Sequence, residues 1–392
     1  MQSLKTLGLV APFFPPEVGG ANRYCFELAK ALGEKGFEVH LFGPPGGVED
    51  ERYILHPVLT RDLRRDLQIL ANYKMDIWHP LFFFYAPLAL KNRNVFLTGH
   101  GDDCFSFQVR LKLPGADFIR KLLIWRLQAN LRAVAEGFLT KAEKGWNYLI
   151  CLAALLKVRH VVAVSSFTQA RLGRRYPWAQ GKITVIPPGV SSGFFQPSAN
   201  VIRRGNRFLS IARLDDADRI KNIHSVIGAF SRLKDDYDFE YVIIGGETRG
   251  NYRQELQSLI DANGLSSKVR LEGRKTDAEL VQYYRDSDLF VLVPYAERNN
   301  FEGFGIVFLE ANASGVPVLT SQEGGMKDYV KEGLNGFFAE NPSVEAIQVA
   351  LKKFLDGKVK FDIETVRASP EPFRWSHVGD RVVELYQKFG NG

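Results

Sequence analysis

Short apolar runs alternate with amphipathic stretches along the whole chain, and the alternation restarts halfway. Leu7 to Ala11 is a continuous apolar run of strand length, and ANRYCFELAKALGEKG after it sets Phe26, Ala29 and Leu32 at helical spacing before a glycine stop. FEVHLFGP, MDIWHP and NVFLTGHG read as further short strands, and VRHVVAVSSFTQARL as a strand leading into a Ser-capped helix. KITVIPPGVSSGFF is the last strand and exit of the first half, and QPSANVIRRGN, rich in Pro, Ser, Asn and Gly, marks a boundary. RFLSIARL, FEYVIIGGE, KVRLEGR and DLFVLVPYAE are then strands separated by the helical stretches NIHSVIGAFSRL, NYRQELQSLIDANG and DAELVQYYRDS. A last helix is predicted in PFRWSHVGDRVVELYQKF.

Strands alternating with helices, twice over, predict an α/β protein with two doubly wound, Rossmann-like parallel sheets facing each other across a cleft. A chain of 392 residues also exceeds one ordinary core and suits two domains. The expected division is 1–197, 198–372 and a closing helix in 373–392.

The densest chemistry lies in Phe301 to Val318, FEGFGIVFLEANASGVPV. Glu302 and Glu310 are eight positions apart, so at roughly 100° per residue they cannot share one helical face. Glu302 is expected in the turn before a helix and Glu310 on its second turn, with Gly303 and Gly305 where a ligand nears the backbone. Such a helix N-terminus suits a phosphate, and a carboxylate two turns in can accept hydrogen bonds from a sugar hydroxyl. The plainer alternative is an amphipathic helix after a glycine turn with both glutamates solvated.

Three further features belong with this stretch. Gly19 and Gly20 stand between the first strand and its helix, where backbone donors meet a phosphate or an acceptor sugar, or simply where the chain turns tightly. His100 stands between Gly99 and Gly101 at a strand's C-terminal end, where open α/β sheets place ligands; a surface histidine in a mobile turn is the alternative. Arg213 and Lys221 follow the first strand of the second half in ARLDDADRIKN.

EGFGIVFLEA resembles the E-x7-E motif of the retaining glycosyltransferases of family 4. The GG of SQEGGMKDYV is similar to that family's next loop, ARLDDADRIKN to its R-L then K-G or K-N segment, and VIPPGV to its strand before the interdomain linker. The resemblance runs from the Gly19–Gly20 loop to near the C-terminus and implies the GT-B architecture. It implies that Arg213 and Lys221 hold the pyrophosphate of a nucleotide-sugar, that Glu310 holds ribose hydroxyls, and that Glu302 and His100 contact the transferred sugar. Gly303, Phe304 and Gly305 would line the same donor site. Lys221 follows a longer loop than many relatives show. By the same analogy the base lies near Arg270 to Gly273 and the Gly245–Gly246 turn, without distinguishing uridine from guanosine. The resemblance also implies retention of anomeric configuration by front-face displacement, and a closing helix that crosses back to the first domain.

Metal-binding D-x-D strings occur at Asp216-Ala217-Asp218, Asp236-Tyr237-Asp238 and Asp286-Ser287-Asp288. The last two precede strands instead of following them, and the first is crowded by Arg213, Arg219 and Lys221, so no metal or other cofactor is expected. No H-E-x-x-H, nucleophile elbow or P-loop is present, which leaves protease, esterase and kinase readings unsupported.

Charge adds one more expectation. All of the net +7 falls between Arg110 and Arg159, where ten Lys or Arg face three acidic residues. Phe118, Trp125, Leu131 and Trp146 are interleaved there, as in a helix that lies on an anionic membrane; the alternative is an insertion covering the first domain's core. The apolar runs fall well short of the roughly 20 residues that span a bilayer. The three cysteines form neither a disulfide framework nor a zinc site, and the start of the chain reads as a strand and not as a secretory signal. The expected place is the cytoplasm, peripherally at the inner membrane face. The expected partners are a UDP- or GDP-sugar and a glycan or lipid-linked acceptor in polysaccharide or glycolipid synthesis. A sugar-nucleotide epimerase is the rival enzyme. A nucleic-acid binder, suggested by the pI near 9.1, lacks any recognition element.

Overall fold

The computed structural model describes residues 6–12, 19–104, 115–122, 129–195 and 206–390. The chain divides into two compact units, one of 1–163, 171–184 and 382–392, the other of 164–170 and 185–381.

In the first unit the chain runs β1 (Thr6–Val10), α1 (Gly20–Glu34), β2 (Glu38–Gly43), β3 (Ile54–Pro57), α2 (Leu63–Leu70), β4 (Ile77–Pro80) and β5 (Phe96–Gly99). It continues through α3 (Ala116–Leu122), α4 (Ala129–Lys157), β6 (His160–Ala163), α5 (Ser166–Arg175), whose first turn groups with the second unit, and β7 (Ile183–Val185). One sheet has the order β3-β2-β1-β4 and another β5-β6-β7, joined by a bridge between Trp78 and Val95. β1 pairs in parallel with both β2 and β4, so the strand order reverses beside it. Leu7, Leu9 and Val10 are fully buried, as expected of a strand covered on both faces.

In the second unit the chain runs β8 (Arg207–Ile211), α6 (Ile223–Ser231), β9 (Glu240–Ile244), α7 (Tyr252–Ala262), β10 (Val269–Glu272), α8 (Asp277–Arg285) and β11 (Leu289–Val291). Then follow α9 (Ile306–Ala313), β12 (Val318–Thr320), β13 (Gly336–Phe338), α10 (Val344–Leu355), α11 (Ile363–Ala368) and α12 (Trp375–Phe389). Its sheet has the order β10-β9-β8-β11-β12-β13 with parallel pairs throughout. The helices carry their own starts: Thr276 and Glu279 form a reciprocal capping box on α8, and Ser343 and Asp362 cap α10 and α11.

The units part earlier than the composition of 196–206 suggests. Val190 and Phe194 are buried in the second unit's core, and the Val190 N–H donates to the Phe373 carbonyl at 2.9 Å. Apolar side chains on either side of the VIPPGV turn therefore decide the division, and the boundary falls between 184 and 185. The closing segment is shared as well. Residues to Arg381 group with the second unit, whereas those from Val382 onward group with the first, where the Tyr386 hydroxyl meets His79 Nδ1 at 2.5 Å.

Candidate functional site

The second unit's sheet reverses its strand order between β8 and β11, and parallel sheets of this kind hold ligands beyond the carboxyl ends of such a pair. The loop after β8 carries Arg213 and Lys221, and the loop after β11 carries Glu302 and leads into α9. Topology thus delivers to one place residues that lie far apart in sequence.

Both glutamates are withdrawn from water, Glu302 to 9% exposure and Glu310 to 4%, so the solvated alternative does not hold. α9 is buried nearly all round instead of along one stripe. A carboxylate so placed needs partners, since burial without them costs several kcal/mol. Glu302 forms an ion pair with Lys221, and Glu310 Oε2 accepts a hydrogen bond from the Tyr284 hydroxyl at 3.0 Å. Arg213, half exposed, donates from Nη2 to Asp218 Oδ1 at 3.1 Å.

Glycines shape the approach to these groups. The Gly325 N–H donates to the Glu302 carbonyl at 3.0 Å, and a Cβ at Gly325 would sit 1.8 Å from the Gly303 carbonyl oxygen. The GG loop therefore lies directly on the backbone that presents Glu302. Gly305 caps α9 with φ 83°, in the left-handed region that glycine enters without cost. Phe304 stands apart from its neighbours, because its side chain is core, packed beside Tyr329 and Phe373. The donor-lining role expected of it is therefore not one for its side chain.

The two aspartates of the D-x-D string after β8 take arginines. Asp216 meets Arg219 at 3.4 Å and Asp218 meets Arg213. Arg219 is drawn outward to Glu255 at 2.6 Å and over the Tyr252 ring, so it does not join Lys221. At the other flank Arg253 donates to the carbonyls of Gly245, Leu271 and Glu272 at 3.0 to 3.2 Å, which fixes the ends of β9 and β10 where a base is expected. Arg274 lies against Gly246, which has no Cβ to keep it off.

In the first unit, Gly19 caps α1 and Gly20 is its exposed first residue. One turn further on, Tyr24 sets its ring edge-on to His100 with centroids 4.8 Å apart. The glycine turn and the histidine loop therefore lie close together in the first unit. His100 is not the mobile surface residue of the alternative reading. Its imidazole lies between Tyr24 and Phe82, its Nε2 bonds to the Leu81 carbonyl at 2.9 Å, and the N–H groups of His100 and Gly101 both donate to Asp103 Oδ1. A carbonyl only accepts, so Nε2 carries the proton and Nδ1 keeps its lone pair. Burial pushes the His100 pKa down to about 4, which keeps the ring neutral.

The basic segment is mainly the 29-residue helix α4; Arg110, Lys112, Trp125 and Arg126 lie outside the described residues. Arg120 is not a loose positive charge, because it pairs with Glu136 at 3.3 Å and with Glu143 at 2.9 Å. α4 buries Cys151, Ala154 and Leu155 in the core and exposes Leu131, Val134, Phe138, Leu149 and Leu156. At about 100° per residue those five fall within about 60° of arc, on the side opposite the core.

Sequence reasoning named the charged groups but not what holds them. Tyr284 and Tyr24 become visible only through tertiary contact, and Asp218, read in the sequence as part of a D-x-D string, shows itself as the partner of Arg213 only there. Asn222 did have a signal, since an Asn directly after Lys221 suits a left-handed position.

A model of "Glycosyltransferase Family 4" matches residues 18–193, and one of "Glycosyl transferases group 1" matches 195–367. The chain is 25% identical, over 88% of each sequence, to the GDP-mannose-dependent alpha-(1-6)-phosphatidylinositol monomannoside mannosyltransferase of Mycobacterium tuberculosis. Its fold is that of sucrose-phosphate synthase from Thermosynechococcus elongatus, with TM-score 0.74 and 19% identity over 98% of both chains. It is also that of Anabaena Alr3699/HepE solved with UDP-glucose, with TM-score 0.73 and 16% identity over 98% of this chain and 99% of that one. Two parallel-sheet units, the paired glutamates beside the cations at the strand-order reversal, and matches that together run from 18 to 367 lead to one conclusion: the chain is a GT-B glycosyltransferase of family 4.

Proposed function

We propose that this glycosyltransferase uses a UDP- or GDP-sugar, retains the anomeric configuration and needs no metal. The observation that carries the reading is the cluster at the β8–β11 reversal, where Lys221 pairs with Glu302, Arg213 stands half exposed and α9 begins at Gly305. Negative charge grows on the diphosphate as its bond to the sugar breaks, and fixed cations with a helix N-terminus stabilise that charge more than the ground state. Arg213 and Lys221 supply the cations and the backbone of 303–305 the amides. When the donor enters, Lys221 shares its charge between Glu302 and the diphosphate, and Glu302 accepts from a hydroxyl of the sugar. Glu310, braced by Tyr284, accepts from the ribose. His100, neutral with its lone pair on Nδ1, accepts from a sugar hydroxyl, and Gly19 and Gly20 offer amides to the acceptor side.

In this reading the acceptor oxygen bonds to the anomeric carbon on the face from which the diphosphate leaves. The electron pair of the broken bond goes to the diphosphate oxygen, and the acceptor proton passes to the departing phosphate. No protein nucleophile is required. The relatives named for GDP-mannose and UDP-glucose support a UDP or GDP donor, and the one named for phosphatidylinositol monomannoside supports a lipid-linked or glycan acceptor in cell-surface polysaccharide or glycolipid synthesis.

Work on such an acceptor would place the enzyme peripherally on the cytoplasmic face of the membrane. Among the described residues no helix is long and apolar enough to cross a bilayer. The exposed stripe of α4, with Arg132, Lys141 and Lys144 exposed on the same helix, supports contact with an anionic surface.

Calorimetry with UDP and GDP tests the site. Glu310→Ala should weaken the tighter-binding diphosphate by about 1.5–3 kcal/mol, the worth of hydrogen bonds to a charged acceptor. Unchanged affinity in a folded variant would remove Glu310 from the site.

A further inference from the structure

Lys221 ends a 3₁₀ turn, Asp216–Lys221, and the residue after it is held in an unusual way. Asn222 has φ 63° and ψ 29° and is 1% exposed. It closes the 3₁₀ turn through its N–H to the Arg219 carbonyl at 2.9 Å and opens α6 through its carbonyl to the Val226 N–H at 3.3 Å. Both protons of its side-chain amide are used, toward the Val293 carbonyl at 3.0 Å and the Pro342 carbonyl at 2.8 Å. Carbonyls only accept, so the amide nitrogen must face them. Most residues with a Cβ are strained in the left-handed region, and Asn is among the few that tolerate it.

Asn222 is the innermost of a row of ties between the loop after β8 and the loop after β11. The Tyr295 N–H donates to the Ile220 carbonyl at 3.0 Å, and Asn300 Nδ2 donates to the Ala217 carbonyl at 3.0 Å. Lys221 with Glu302 is the fourth tie, and it is ionic. The first three all end on main-chain carbonyls. Their common effect is to fix the backbone on either side of Lys221, whose long, flexible stem otherwise spreads its charge over many positions.

Resting on the diphosphate role given above to Lys221, we propose that Asn222 is a positioning residue for it. Its left-handed backbone turns the chain so that Lys221 points at Glu302, and its amide bonds that turn to the end of β11 and to Pro342. Asn222 touches no reacting atom; it sets where the cation stands before the donor arrives.

The test is a double-mutant cycle read as UDP and GDP affinity by calorimetry on the full chain, with thermal unfolding followed in parallel. Asn222→Gly keeps the left-handed backbone accessible and removes the amide. In the wild-type background it should weaken the tighter-binding diphosphate on the order of tenfold, whereas beside Lys221→Ala it should change affinity by less than about twofold. Asn300→Ala, which removes only the outer tie, should show the same coupling with a smaller loss, and it carries the test if Asn222→Gly does not fold. Equal losses with and without Lys221 would show a general scaffold and overturn the inference. Diphosphate binding untouched by Lys221→Ala would instead overturn the diphosphate role of Lys221, and the inference with it.

Discussion

Beyond the strands of its sheet the second unit keeps charged side chains in pairs, Lys221 with Glu302 and Arg213 with Asp218, whereas the first unit keeps buried rings neutral. His79 is fully enclosed between the Tyr386 hydroxyl and Thr98 Oγ1, and burial takes its pKa down to about 3. His160, stacked on Phe389 and bonded to Thr184, falls to about 4, as His100 does. On the function proposed above, the difference separates the unit that meets negative charge from the one that does not. Fixed cations act on a diphosphate only where they are already in place, while neutral rings and hydroxyls suit the recognition of uncharged sugar.

The comparison breaks most visibly in acid. A histidine whose folded pKa lies below its unfolded value of about 6.5 contributes stability above that pH and loses it as pH falls toward the folded pKa. For His79, His100 and His160 the window runs from about 6.5 down to about 4, continuing to about 3 for His79. The combined loss is on the order of several kcal/mol. In the second unit His224 is also held below its ordinary value by burial, but it is one group against four, since burial lowers His56 in the first unit as well. Hydrogen exchange on the full chain at pH 7 and pH 4.5 should show protection falling first in β4, β5 and β6 while β8, β9 and β11 hold. Simultaneous loss in both units would deny that the buried histidines set acid stability.

A smaller effect sharpens the contrast at the surface of the first unit. Phe138 is 69% exposed and Leu149 56%. Burying such side chains in a lipid interface is worth about 1.5–3 kcal/mol each. Phe138→Glu with Leu149→Glu should release the protein from liposomes containing anionic lipid and leave UDP and GDP affinity unchanged. Co-sedimentation equal to wild type would make the stripe a surface for something other than lipid. Reversing Arg120 is the poorer test, because it also breaks the ion pairs to Glu136 and Glu143.

What could be read in the sequence follows the same division. In the second unit local pattern and tertiary placement agree. A buried parallel strand is a plain apolar run, the glycines stand where φ or close approach requires them, and Glu302 and Glu310 differ in helical phase, so their separate places, one before α9 and one on it, could be read directly. In the first unit the decisive facts are tertiary. His100 between two glycines looks like a free turn until Tyr24 and Phe82 close on it. α4 is apolar on opposite faces, Leu139, Ala154 and Leu155 inward and Phe138 and Leu149 outward, which blurs any single stripe. The unit boundary escaped for a related reason. Composition marks a polar linker, but Val190 and Phe194 before it had already committed their side chains to the next core.

The central claim is that the diphosphate is met by fixed protein cations in the second unit. Its most direct test is hydrolysis of a panel of UDP- and GDP-sugars in chelator, by wild type and by Arg213→Ala. Wild type should turn over its donor in EDTA, and Arg213→Ala should lower kcat on the order of 10²-fold with a smaller change in KM, as loss of a transition-state contact requires. Wild-type activity lost in EDTA and restored by manganese or magnesium, or an Arg213→Ala effect confined to KM, would contradict it.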